Sequence, residues 1–168
     1  MSVTQGRRYR YSVLAFCVFS YFATMAARTA ISPVLPAIRD EFAVSNAAMG
    51  VVLTGMWGAY ALSSYPSGVL GDRYGARRVV LVAVGLSAIG SAFLTLSPTY
   101  PVFLLSALFL GAGAGFYYPV AAMLLESLFE RTGRAIGLHL TGSQVAGFVT
   151  PIVVAANSPG NRSGDRVL

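Results

Sequence analysis

The sequence predicts an all-α integral membrane protein built from five transmembrane helices, and three observations predict it. Hydrophobic residues make up 55% of the 168 residues and charged residues only 11%, with a mean hydropathy of +0.66. A soluble domain carries about 25% charge to keep its surface wet. The apolar residues fall into five blocks of the length that crosses a hydrocarbon core of about 30 Å, roughly 20 residues each. The twelve basic residues, all arginine, gather mainly between those blocks. Together these features exclude a soluble enzyme, a disulfide-stapled secreted module and a disordered chain. A single cysteine, Cys17, has no partner for an internal disulfide.

Residues 1–10 read as a cytoplasmic N-terminal segment, 11–156 as the five-helix region and 157–168 as a polar, disordered tail. The first block, Tyr11–Ile31, is too long for a cleavable signal peptide and lacks a small-x-small cleavage site. Pro33 and Pro36 are expected to close it. The second, Asn46–Pro66, follows Ser45, whose hydroxyl suits an N-cap. The third, Val79–Ser97, runs into Ser97-Pro-Thr-Tyr-Pro101, a tight uncharged turn. The fourth, Pro101–Leu125, carries Gly111 and Gly115 four apart, with Gly113 between them and Ala107 upstream. The fifth, Ala135–Ala156, carries Gly137, Gly142 and Gly147, with Ser143 four before Gly147 and Ala146 four before Thr150. Lipid tails are as apolar as leucine, so helices in a bilayer associate through such small-residue spacings. Gly111, Gly115, Gly142 and Gly147 are therefore expected to pack helix against helix.

Arginine placement sets the orientation. Arg7, Arg8 and Arg10 precede the first block, Arg73, Arg77 and Arg78 follow the second, and Arg131 and Arg134 follow the fourth. The alternate connections hold only Arg39, beside Asp40 and Glu41. Positive loops stay cytoplasmic, so the N-terminus is expected inside, in a multi-pass protein of the plasma membrane. Arg162 and Arg166 in the tail run mildly against that rule. The positive charge is a topology signal and no footprint for nucleic acid.

The segment after the second block reads Gly68-Val-Leu-Gly-Asp72-Arg73-Tyr-Gly75-Ala-Arg77-Arg78. In a short turn, Gly68 and Gly75 suit positions where the backbone bends or approaches a neighbour. Asp72 can meet a helix N-terminus or pair with an arginine. Arg73, Arg77 and Arg78 can hold anionic headgroups or bridge to carboxylates, with Glu126 and Glu130 at inner helix ends as the expected partners.

This G-x-x-x-D-R-x-G-x-R-R pattern resembles the signature loop of major facilitator superfamily transporters. Tyr60 and Pro66-x-Gly68 are similar to that family's run-in to the loop. Gly111-x-Gly113-x-Gly115-Phe-Tyr-Tyr-Pro119 is similar to its fourth helix, and Gly133-Arg134-Ala135-x-Gly137 to its entry into the fifth. The resemblance covers about Tyr11 to Ala156 and implies the first five helices of a six-helix N-terminal bundle. It also implies a secondary transporter working by alternating access between two halves. Gly68, Asp72, Arg73, Gly75, Arg77 and Arg78 would then form the cytoplasmic gate latch, with Asp72 engaging a helix end of the opposite half. Ala107 stands where the family usually has an arginine, and Thr150-Pro151 where antiporters often have Gly-Pro.

Arg28 is the one ionisable residue clearly inside a span, about 25 Å along the first helix at ~1.5 Å per residue. Two readings stay open: an arginine snorkelling to outer headgroups, or an anion contact facing a cavity, with Thr24 and Tyr21 on the same helical face. Arg28-Thr-Ala-Ile-Ser-Pro-Val-Leu-Pro resembles the first helix of the anion:cation symporter branch, in which the arginine contacts an organic anion. Ala27 and Ala114 stand where that branch usually has acids. Gln144, with Thr141 and Phe148 on its face, and Tyr117 are further candidate solute contacts, with interhelical hydrogen bonding as the alternative for each. His139 reads as structural or interfacial.

No metal site, cofactor site or catalytic constellation is expected, because the single histidine has no carboxylate at metal spacing. The expected partners are a small solute, with an organic anion as one candidate, the lipid bilayer, and a C-terminal half or second copy. The family's transport unit has about twelve helices, so the chain reads as a truncated N-terminal part, inactive alone. The alternative is a non-transporting membrane protein, a remnant or a split-transporter subunit.

Overall fold

The computed structural model describes residues 3–157. These form five helices: α1 (Val3–Glu41), α2 (Asn46–Tyr74), α3 (Ala76–Thr95), α4 (Tyr100–Leu128) and α5 (Thr132–Asn157). The tail 158–168 lies outside the described residues. Four helices, α1, α3, α4 and α5, are long and apolar enough to cross a membrane. The fifth expected span, α2, has the length at 29 residues, but Ser63, Ser64, Ser67, Trp57, Tyr60 and Tyr65 dilute its apolarity. Its hydroxyls are answered within the helix: Ser64 Oγ donates to the Tyr60 carbonyl at 2.8 Å and Ser67 Oγ to that of Ser64 at 2.6 Å. Such back-bonding lets a polar helix sit where no water can reach.

Three boundaries differ from the sequence expectation. α1 is already helical at Val3, so most of the segment read as preceding it belongs to it. It also runs through Pro33 and Pro36 to Glu41 rather than ending there. A proline removes one backbone donor and crowds the preceding turn, yet Leu35, Ile38 and Phe42 on this stretch pack against a core of Ile31, Met49, Val52, Met56 and Phe103. That packing holds the continuation in place. The connection expected between the second and third spans shrinks to one residue, Gly75, which caps α2 and starts α3. The remaining motif residues are helical. Ser45 does cap α2, its Oγ accepting from the Ala48 N–H at 3.2 Å.

α4 lies between α2 and α3, and α1 packs chiefly on α5. Glycines explain both contacts. A Cβ at Gly111 would meet the Met56 carbonyl, and one at Gly115 the Tyr60 carbonyl, so this i, i+4 pair receives α2. Gly113, on the other side, brings α4 against α3, where a Cβ would lie 2.7 Å from Ser87 N. Gly90 of α3 answers it, with Leu110 N at 2.7 Å from its would-be Cβ. On α5, Gly142 meets the Val18 carbonyl of α1. Gly147 corrects the expectation: it is exposed, and a Cβ there would touch nothing. Five residues beyond Gly142 turn the helix by about 140° past a whole turn, away from α1.

Two tyrosines add directed links. Tyr117 Oη donates to the Cys17 carbonyl at 2.6 Å, tying α4 to α1. Tyr100 Oη donates to the Ala48 carbonyl at 2.9 Å, tying α4 to α2.

Candidate functional site

Arg28 is 5% exposed, so its guanidinium does not reach for headgroups but lies inside the helix bundle. Its Cζ sits 4.1 Å from the ring centroid of Trp57 and 4.5 Å from that of Tyr60. These two residues are three apart on α2 and therefore share a face. Their rings meet edge-to-face at 73° with centroids 5.8 Å apart, forming an aromatic corner around the cation. Nε and Nη2 of Arg28 are buried without a hydrogen-bond partner. Among the described residues no carboxylate pairs with it, the single ion pair being Arg39–Asp40 at 2.6 Å.

Thr24, one turn below Arg28 on α1, is also buried, at 5% exposure. Tyr21, a further turn away, is half-buried and stacks on His139 with centroids 4.7 Å apart and planes 19° apart. Tyr117 and Tyr118 complete this second layer at 5.8 and 5.7 Å from Tyr21. His139 is fully buried, and neither imidazole nitrogen has a partner at hydrogen-bond geometry. The structure thus gathers Arg28, Thr24 and Tyr21 along the inward stripe of α1. Tyr117 borders that stripe, but its hydroxyl is engaged by the Cys17 carbonyl. Gln144 is not brought to it: it is exposed on α5, as are Thr141 and Phe148. The Thr141 hydroxyl is taken by the Leu138 carbonyl at 2.7 Å.

Sequence reasoning missed Trp57 altogether and placed Tyr60 only in the run-in to the loop. Their i, i+3 spacing was visible, but which residue of α1 they face depends on how the two helices are set against each other. His139 reads from the sequence as structural or interfacial, and its place in the aromatic layer rests likewise on tertiary packing.

At the break between α2 and α3, Gly75 has φ 87° and ψ 129°, a conformation that costs a residue with a Cβ but not glycine. Asp72, Arg73, Arg77 and Arg78 are all exposed around it. Arg73 lies 5.5 Å from the Tyr74 ring. The expected pairings of Glu126 and Glu130 with these arginines are not formed, nor does Asp72 pair with one, since Arg39–Asp40 is the only ion pair among the described residues. The close approach expected at Gly68 occurs at Gly71 instead, where a Cβ would lie 3.3 Å from Val120. Gly68 borders open space.

Comparison with known protein sequences identifies a family. The family model described as Major Facilitator Superfamily matches residues 17–158. An uncharacterized MFS-type transporter, YfiU, of Bacillus subtilis is 28% identical over 82% of this chain and 27% of its own length. The hexuronate transporter of Bacillus subtilis is 29% identical over 75% of this chain and 31% of its own. The membrane sensor protein UhpC of Escherichia coli is 31% identical over 89% of this chain and 35% of its own. The chain thus spans about a quarter to a third of the length of these relatives. With long apolar helices, glycine-mediated packing and a match over most of its length, this multi-pass membrane chain belongs to the major facilitator superfamily.

Proposed function

We propose that this chain supplies one wall of the translocation path of a secondary transporter for a small organic anion, with Arg28 as the anion contact. The observation that carries the reading is a buried guanidinium with two unpartnered nitrogens and, among the described residues, no carboxylate paired with it. A buried charge is costly unless paired and hydrogen-bonded. The rings of Trp57 and Tyr60 offset part of that cost, about 2 kcal/mol for a desolvated cation–π contact. They supply no acceptor for Nε–H and Nη2–H. A carboxylate solute supplies both charge and acceptors, and Thr24 lies on the same stripe. The name of one relative, a hexuronate transporter, agrees with an anionic solute. Gln144 and Tyr117 are not part of the proposed contact.

In this reading the N-terminus is cytoplasmic, in the plasma membrane, and Asp72 with Arg73, Arg77 and Arg78 is the gate latch, exposed at Gly75 to engage a second half. The 168 residues by themselves do not complete alternating access, because that mechanism moves two halves about a shared site. Saturable uptake by liposomes holding only this chain would refute that point.

Trp57 is the only tryptophan, so its fluorescence reports on the Arg28 site directly. Titrating glucuronate into the chain in nanodiscs is expected to change the Trp57 emission saturably. Glucose, the neutral counterpart, is expected to have no effect, and Arg28→Ala to abolish the response. An equal response to glucose, or one unchanged in Arg28→Ala, removes Arg28 from the site.

A further inference from the structure

At the opposite end of α1 from Arg28, the structure holds a second place that attracts anions. Arg10 of α1, with Arg131 and Arg134 at the start of α5, lines an open cavity of about 420 Å³. Glu130 is the single acid there, and it forms an ion pair with none of them. The three guanidinium groups are exposed, and the positive end of the α5 dipole opens at the same place. The floor is apolar: Tyr11 and Phe129 meet edge-to-face at 5.9 Å, above Leu14 and Leu138. Tyr11, Leu14 and Leu138 also line a second, almost wholly apolar groove of about 530 Å³. That groove climbs between α1 and α5 past Val18, Phe19, Phe22 and Val145. A charged basin thus adjoins, across the shared side chains of Tyr11, Leu14 and Leu138, a greasy channel along the membrane-spanning part of the two helices.

We propose that this composite site binds one anionic phospholipid, its phosphate among Arg10, Arg131 and Arg134 and one acyl chain in the α1–α5 groove. The three cations around one acid favour a negative headgroup over a zwitterionic one. The groove favours a lipid over a free phosphate, because only a lipid fills both parts. Neither part uses Arg28, so the site stands apart from the proposed solute contact.

Native mass spectrometry of the full chain in detergent tests it. Phosphatidylglycerol is expected to stay bound as a single copy where phosphatidylcholine is lost. Arg131→Gln with Arg134→Gln is expected to weaken binding about tenfold or more, each basic residue near an anionic surface contributing measurably. Arg77→Gln with Arg78→Gln removes the same charge elsewhere and is expected to leave binding unchanged. Val145→Trp, which fills the groove and spares every arginine, is expected to weaken it too. Millimolar glycerol phosphate is expected not to displace the lipid. Equal loss in the Arg77/Arg78 pair, equal retention of phosphatidylcholine, an unaffected Val145→Trp, or displacement by glycerol phosphate would each overturn the proposal.

Discussion

The ring of Trp57 on α2 lies 4.1 Å from the guanidinium carbon of Arg28 on α1, and together with Tyr60 it houses a buried cation that pairs with no acid among the described residues. The contact joins α1 to α2 beside the apolar cluster that Ile31 forms with Met49, Val52 and Met56. It keeps the charge in the bundle while leaving two donors unspent. A carboxylate partner would have satisfied those donors internally and left nothing for a solute.

The clamp predicts a trade between stability and binding. Arg28→Met removes a buried, incompletely satisfied charge and is expected to be neutral or stabilising by about 1 kcal/mol or more, as such replacements by apolar side chains often are. The same variant is expected to lose anion binding. Trp57→Leu is expected to destabilise the parent but to cost about 1 kcal/mol less in the Arg28→Met background, the difference being the cation–π coupling. Reversible unfolding in mixed micelles, run as a double-mutant cycle, measures all three terms.

Gly111 and Gly147 are expected to behave oppositely, although both sit in small-residue spacings. Gly111→Ala drives a Cβ into the Met56 backbone, which cannot move aside as a flexible side chain would. It is expected to cost about 1–3 kcal/mol, the range for overpacking. Gly147→Ala meets open space and is expected to stabilise α5 by up to ~1 kcal/mol through helix propensity. Comparing the two midpoints of unfolding checks the assignment, and a costly Gly147→Ala would show a contact that the described helices do not provide.

Tyr117→Phe removes one hydroxyl and nothing else. Its bond to the Cys17 carbonyl holds α4 on α1, and interhelical hydrogen bonds in membranes average about 0.6 kcal/mol, with a maximum near ~1.7. A loss within that range is expected in unfolding experiments. The anion-induced change in Trp57 emission is expected to persist, because the hydroxyl is engaged by the Cys17 carbonyl.

Gly75 and Gly68 separate the two roles that a glycine-rich motif can hold. Gly75→Ala places a Cβ at φ 87°, and such backbone strain costs on the order of 1–3 kcal/mol. Gly68→Ala adds a methyl group where nothing lies within 4 Å and is expected to be tolerated. Cysteine accessibility at Asp72→Cys is expected to change in the first variant and not in the second, because only Gly75 sets the direction in which α3 leaves α2.

Much of the fold was legible because a bilayer imposes a length and a polarity on every crossing element. Those constraints appear as composition, so the five helices, the Ser45 cap and the packing role of Gly111 and Gly115 could be read from the chain, but not that α2 is their partner. Helix ends were less legible. Pro33 and Pro36 are strong local breakers, yet packing of Leu35 and Ile38 on a distant core outweighed them.

What the sequence determined by itself was which residues are costly in lipid, Arg28 above all, and which are small enough for helices to touch. What only the tertiary structure decided was the rotation of each helix about its axis. That rotation turned Arg28 onto Trp57 and Tyr60, moved the close approach from Gly68 to Gly71 and left Gly147 facing outward. The physical reason is that an α-helix advances about 100° per residue, so a face is defined only by the neighbour packed against it. Small residues permit a contact without naming their partner, and the partner emerges when all five helices pack at once.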